Sequence, residues 1–170
     1  FSERIKYIER DSIDDINKVV LFKDKKRSFD LYSIYPDING KFFIESQEAR
    51  NSMTEADYAK VYFKLISEKI DFGDIYIYGK LSDWMINDDF KLKYNEKEKI
   101  YETDILLKQG YYNYNYALKD TINNTVDFCF IEGSHYQTKN DYYIYVYYRG
   151  PENRYDKLIG FLKTSSKELF

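Results

Sequence analysis

The one histidine of the sequence, His135, stands in Glu132-Gly133-Ser134-His135. Any Ser-His-Asp chemistry would have to run wholly through it, paired with Glu132 or Ser134. The order around the serine is not that of a G-x-S-x-G elbow, and no strand-turn-helix pattern follows it. His135 therefore reads as a loop residue ahead of a strand. A single imidazole excludes a multi-histidine metal site. The single cysteine, Cys129, excludes a cysteine zinc cluster and an internal disulfide. Cys129 alternates with Asp127 and Ile131 in an expected strand, which reads as a packed or half-buried thiol. Asp14-Asp15 and Asp88-Asp89 could supply the carboxylate pair of glycoside hydrolysis. In a chain with 32% charged residues, adjacent acids read instead as solvated surface. No acidic calcium loop and no glycine-rich phosphate loop occurs. The sequence thus assigns no catalytic residue, no metal and no cofactor, and the protein reads as a non-enzyme.

What remains is aromatic. The 170 residues include 20 Tyr, 12 Phe and one Trp, but only two Pro. Tyr143, Tyr145 and Tyr147 share one face of an expected strand whose other face carries Ile144 and Val146. Tyr76 and Tyr78 alternate with Ile75 and Ile77 in the same way, and Tyr58 and Tyr62 with Val61 and Phe63. If the aliphatic faces form the core, the tyrosines face outward. Outward phenols suit a binding face, because they bury much area at small entropic cost. They equally suit plain cross-strand pairing on a solvated sheet. Trp84 follows a strand in Gly79-Lys80-Leu81-Ser82-Asp83-Trp84. There it either stacks on a sugar ring or a partner, or caps the core.

The elements that would position these residues are strands. Ile5–Ile8, Val19–Phe22 and Phe29–Tyr35 read as short strands. Pro36-Asp37-Ile38-Asn39-Gly40 reads as a turn, with Asn-Gly supplying positive φ, and Lys41–Glu45 returns as a strand. Residues 47–55 are polar and irregular, and a boundary is expected there. Asp57–Ile66 alternates cleanly, with Ala59, Val61, Phe63 and Leu65 on one face. Ile75–Tyr78 follows. A hairpin joins Phe90–Tyr94 to Tyr101–Leu107 across Asn95-Glu96-Lys97-Glu98. Tyr112–Lys119, Val126–Ile131, Tyr142–Tyr148 and Leu158–Leu162 complete the set. Thr54–Ala59 and Thr164–Phe170 are the segments able to form a helical turn. Short strands at this spacing predict an all-β, antiparallel Ig-like sandwich over residues 55–170. Residues 1–54 read as the end of a preceding β domain or a linker.

A chain of this length buries about 70% of its unfolded surface and needs no staple to hold a core. A net charge of −3 argues against duplex nucleic acid as a partner. No run of about 18 apolar residues is present, so no helix spans a membrane. No signal peptide is evident. The first residue is Phe1, and the sequence reads as part of a longer protein with a signal peptide expected upstream.

Two sets of motifs carry resemblances. Gly79-x-Leu81-Ser82-Asp83-Trp84, the hairpin through Tyr94 and Tyr101, and Gly110-Tyr111-Tyr112-x-Tyr114-x-Tyr116 resemble the starch- and glycogen-binding Ig-like modules. In those modules a lysine follows the strand tyrosine, and a second Trp stacks on sugar. Asn115 stands at the lysine position here, and Trp84 is alone. A longer ordered set runs from residue 35 to residue 160. It includes Tyr35-Pro36-Asp37-Ile38-Asn39-Gly40-Lys41-Phe42, Leu106-Leu107-Lys108-Gln109-Gly110-Tyr111-Tyr112, Ile131-Glu132-Gly133-Ser134-His135-Tyr136-Gln137-Thr138 and Arg154-Tyr155-Asp156-x-Leu158-Ile159-Gly160. This set resembles the C-terminal part of the type IX secretion system plug protein family of the Bacteroidota. The resemblance implies a non-enzymatic body at the periplasmic side of the outer membrane, closing the translocon barrel by protein-protein contact. Trp84, Tyr76, Tyr78, Tyr143, Tyr145 and Tyr147 are the expected partner-binding residues. The alternative is a carbohydrate-binding module that uses Trp84 and the tyrosine stripes on a glucan-type polysaccharide.

Overall fold

The computed structural model describes residues 3–11, 15–31, 37–46, 50–135, 137–138 and 140–166. The chain divides into two compact units, Phe1–Ser134 and His135–Phe170. In the first unit the strands are β1 (Ile5–Arg10), β2 (Asn17–Leu21), β3 (Asp24–Lys25), β4 (Phe42–Ile44), β5 (Tyr58–Ile66), β6 (Gly73–Tyr78), β7 (Lys93–Asn95), β8 (Ile100–Lys108), β9 (Gly110–Tyr112), β10 (Asn115–Asp120) and β11 (Val126–Asp127). Two single-turn helices accompany them, α1 (Ser52–Glu55) and α2 (Cys129–Glu132). The second unit holds β12 (Asp141–Tyr148) and β13 (Lys157–Ser165).

The fold is an all-β sandwich built mainly from antiparallel pairs, as the alternation predicts. The larger sheet runs β1-β2-β5-β8-β7, with β3 also on β5. β2 and β3 lie end to end along one edge of β5, and both pair with it in parallel. The other edge of β5 pairs antiparallel with β8 along its whole length, from Tyr58 opposite Lys108 to Ile66 opposite Ile100. The smaller sheet runs β11-β10-β6. β4 and β9 form a separate two-stranded pair.

The core follows from the pleat. β5 turns Phe63 and Leu65 inward, and β8 turns Tyr101 and Ile105 inward; they meet Ile75 and Ile77 of β6 and Tyr116 and Leu118 of β10. Ile131 of α2 and Leu92 complete the cluster. Fully burying an aliphatic side chain of this size stabilises the fold by about 1.5–3 kcal/mol. The outer face of β5 keeps Tyr58, Lys60, Tyr62 and Lys64, so the expected alternation holds in that strand.

Several expectations are corrected. The strands ahead of residue 54 are not a separate body: β1, β2 and β3 complete the sheet of β5, and the compact units part at Ser134/His135 instead. The free edge of β5 offers a row of unpaired backbone groups, and these strands satisfy it. Phe29 and Leu31 lie outside any strand and are almost fully exposed. The rest of that expected strand, residues 32–35, falls outside the described residues. Tyr112–Lys119 is not one strand; it breaks at Asn113-Tyr114, where the chain leaves β4 and joins β6. Val126–Ile131 is a strand for two residues only. The Asp127 carboxylate accepts the N–H groups of Cys129 (2.7 Å) and Phe130 (3.1 Å), and this cap starts α2. Cys129 is consequently exposed on a helical turn, not packed in a strand.

In the second unit β12 and β13 form an antiparallel hairpin, from Asp141 opposite Ser165 to Tyr148 opposite Lys157, with a bulge at Val146/Tyr147. Arg149 closes its turn with two bonds to Asp156, at 2.8 and 3.0 Å. Every residue of β12 is exposed.

Candidate functional site

The loop after β6 is shaped by two glycines and an indole. Gly79 has φ +156°, and a Cβ there would come within 3.0 Å of the Gly40 carbonyl oxygen. Ser82 donates its hydroxyl to the Gly79 carbonyl at 3.0 Å. Asp83 and Trp84 both take positive φ, which turns the chain sharply, and the Trp84 N–H donates to the Gly79 carbonyl at 2.9 Å. The indole comes down on Gly40, where a Cβ would sit 2.6 Å from the ring. Gly40 is held there from both sides. Its N–H donates to Asn113 Oδ1 at 2.6 Å, and its carbonyl accepts from Lys80 N–H at 2.7 Å. Its φ of +70° is the turn geometry expected of Asn39-Gly40.

Trp84 is therefore not part of the core. It is 43% exposed and meets Tyr78 edge-on at 5.7 Å. Tyr78 packs in turn on Phe128 at 4.7 Å. Phe128 is itself 40% exposed, and Met85, next in the chain after Trp84, is exposed too. Of the residues singled out from the sequence, the fold brings Trp84 and Tyr78 together. Phe128 and Gly40 join them unannounced; the Asn-Gly pair marked the turn but not the ring above it.

Tyr76 corrects the stripe reading. It is 3% exposed, and its hydroxyl donates to Asp88 at 3.2 Å. Burial pushes its phenol pKa up. Both faces of β6 are covered, since Ile75, Tyr76 and Ile77 are all buried. Tyr76 can make no partner contact.

Tyr143, Tyr145 and Tyr147 share one face of β12 and are half exposed, as expected. Phe161 of β13 lies 5.3 Å from Tyr145, and the Lys163 ammonium sits 5.3 Å from the Tyr143 ring centre. The opposite face departs from expectation. Ile144 and Val146 are exposed to the same degree, 50% and 48%, as are Leu158, Ile159 and Leu162 of β13. The hairpin shows apolar side chains on both faces.

A third cluster had no sequence signal. Asp24 of β3 accepts the Tyr116 hydroxyl at 2.7 Å and the Tyr114 hydroxyl at 3.0 Å, and pairs with Arg4 at 2.6 Å. Burial raises the pKa of both phenols well above the ordinary tyrosine value. The cluster ties β3 and the chain just ahead of β1 to the core, a structural task. Glu132 is engaged within the first unit. Its carboxylate accepts the Tyr116 backbone N–H at 2.8 Å and pairs with Arg27. Among the described residues no group of three or more His, Cys, Asp or Glu could hold a metal ion, and no helix is long and apolar enough to cross a membrane.

A crystal structure of a hypothetical protein from Parabacteroides merdae ATCC 43184 is similar to this chain. The TM-score is 0.86 at 36% identity, over 97% of this chain and 41% of that one. The chain thus spans less than half the length of that solved relative. No protein-family model matches the sequence, and no curated protein does.

Proposed function

We propose that the protein is a non-enzymatic docking body of the type IX secretion plug family, closing the periplasmic side of the outer-membrane translocon barrel by protein-protein contact. The observation that carries this reading is the β12–β13 hairpin, bare on both faces. A two-stranded ribbon is at best marginal alone in water. Contiguous exposed apolar surface marks an interaction site, and aromatic side chains are enriched at interface cores. The Trp84–Tyr78–Phe128 surface adds a second aromatic patch, held rigid by Gly40. The ordered motifs between residues 35 and 160 supply the family to which this surface would belong.

The test is contact mapping. A photo-crosslinking residue is placed at Tyr145 or Trp84 in the full-length protein, in cells that carry the translocon. The reading expects crosslinks to the barrel protein, and a leakier outer membrane when the protein is deleted. Absence of barrel crosslinks from both positions, with unchanged permeability on deletion, would sink it.

A further inference from the structure

The outer face of the large sheet carries a groove that the docking role does not use. Two adjoining hollows, of about 640 and 260 Å³, lie on this face and share Tyr62 and Lys64. The strand registers define what lines them. Tyr7 of β1 stands opposite Val20 of β2, Val20 opposite Tyr62 of β5, and Tyr62 opposite Asp104 of β8. One row therefore crosses four strands at right angles to them. Strands lie about 4.8 Å apart, so Tyr7 and Tyr62 stand roughly 10 Å apart along that row. Two phenol rings at that separation match alternate rings of an extended sugar chain.

Two lysines beside the row, Lys64 and Lys60, make long ion pairs. Lys64 reaches Glu102 at 3.4 Å and Glu98 at 3.7 Å, and Lys60 reaches Asp104 at 3.5 Å. Elsewhere on the surface comparable pairs close to 2.7–2.8 Å, as in Lys80–Asp83 and Arg149–Asp156. At 3.4–3.7 Å the ammonium groups keep donor capacity, and although Lys23 holds Glu98 at 3.0 Å and Asn95 holds Glu102 at 2.7 Å, a carboxylate has further lone pairs to accept with. A hydroxyl fits between them, because it accepts from the lysine and donates to the acid at once. The lining holds three lysines against four carboxylates, so it offers no attraction to a polyanion.

We propose that this groove binds a neutral, hydroxyl-rich glycan chain laid across the strands. Tyr62 and Tyr7 stack on its rings, and the loose ion pairs bridge its hydroxyls. The site is distinct from the Trp84 surface and independent of the docking role.

The test is a titration of the whole 170-residue chain, followed by two-dimensional NMR. The probes are neutral hexasaccharides of α-1,4-glucose, β-1,4-glucose, β-1,4-mannose and β-1,4-xylose, with heparin as the anionic arm. At least one neutral probe is expected to shift the Tyr62 and Tyr7 signals saturably. Tyr62→Ala is expected to weaken that binding about tenfold or more, while Trp84→Ala leaves it intact. Lys64→Ala serves as the second variant should Tyr62→Ala disturb the spectrum, and it is expected to weaken binding as well. The proposal is overturned if no neutral probe binds at millimolar concentration. It is equally overturned if heparin alone binds, or if binding is lost in Trp84→Ala and kept in the groove variants.

Discussion

β6 and β12 are nearly the same sentence written twice. Residues 75–78 read Ile-Tyr-Ile-Tyr, and residues 143–147 read Tyr-Ile-Tyr-Val-Tyr. In β6 the isoleucines are 0% exposed and Tyr76 is 3% exposed. In β12 the equivalent aliphatic and aromatic residues are all about half exposed. Alternation fixes which residues share a face. It does not fix how many faces are covered. β6 buries Ile75 and Ile77 in the core on one side, and on the other Tyr76 is buried with its hydroxyl on Asp88, while Lys91 bridges to Tyr76 along the strand edge and pairs with Asp74 at 2.7 Å. β12 pairs with β13, and its side chains on both faces stay exposed.

The contrast can be broken by paired substitutions. Ile77→Ala removes a fully buried side chain and is expected to cost about 2–5 kcal/mol in urea denaturation. Gly40→Ala comes next. It forces a Cβ into the Trp84 ring at a positive φ, with an expected loss of about 1–3 kcal/mol and a changed indole fluorescence. Unchanged fluorescence would mean that the indole does not rest on Gly40.

Tyr116→Phe deletes one of the hydroxyls that Asp24 accepts and should cost about 1–3 kcal/mol. The same network sets an alkaline limit. Burial raises the Tyr114 and Tyr116 pKa values in the folded state, whereas an unfolded tyrosine ionises near pH 10, or about that. Their neutral form is therefore no liability below that pH, and stability falls as the pH rises above it. Circular dichroism and the 295 nm absorbance, followed together, should show these phenols ionising with unfolding. Ile144→Ala is the smallest effect. It should change stability by less than about 1 kcal/mol, yet reduce crosslinking to the partner. A loss matching that of Ile77→Ala would show that β12 already has a covered face.

The sequence made β5 legible because it is long, alternates strictly and has one solvated side, and β8 because Tyr101, Thr103, Ile105 and Leu107 share a face even though Ile100 beside them is buried too. β3 was illegible. It is two residues in a lysine-rich stretch with no apolar period, and it pairs only because β2 leaves the rest of that β5 edge open. α2 was misread because one helical turn is too short to show a period, and the signal was a side-chain cap at Asp127. Tyr76 was misread because its second cover comes from a segment that is not a regular strand. The Trp84 surface was half legible. Its rings could be named from the Gly79 loop, but the glycine beneath the indole comes from 44 positions earlier and needed the fold.

The parallel place of β2 and β3 on β5 has a cost in time. On the ribosome Asp24 emerges early, yet the Tyr114 and Tyr116 hydroxyls it binds lie 90 and 92 residues further on. At a synthesis rate of roughly 5–20 residues per second, the Asp24 carboxylate waits on the order of 5–20 s for these two hydroxyls. Throughout that interval the segment lacks this tie to the core, so chaperone cover before folding is complete matters most for it.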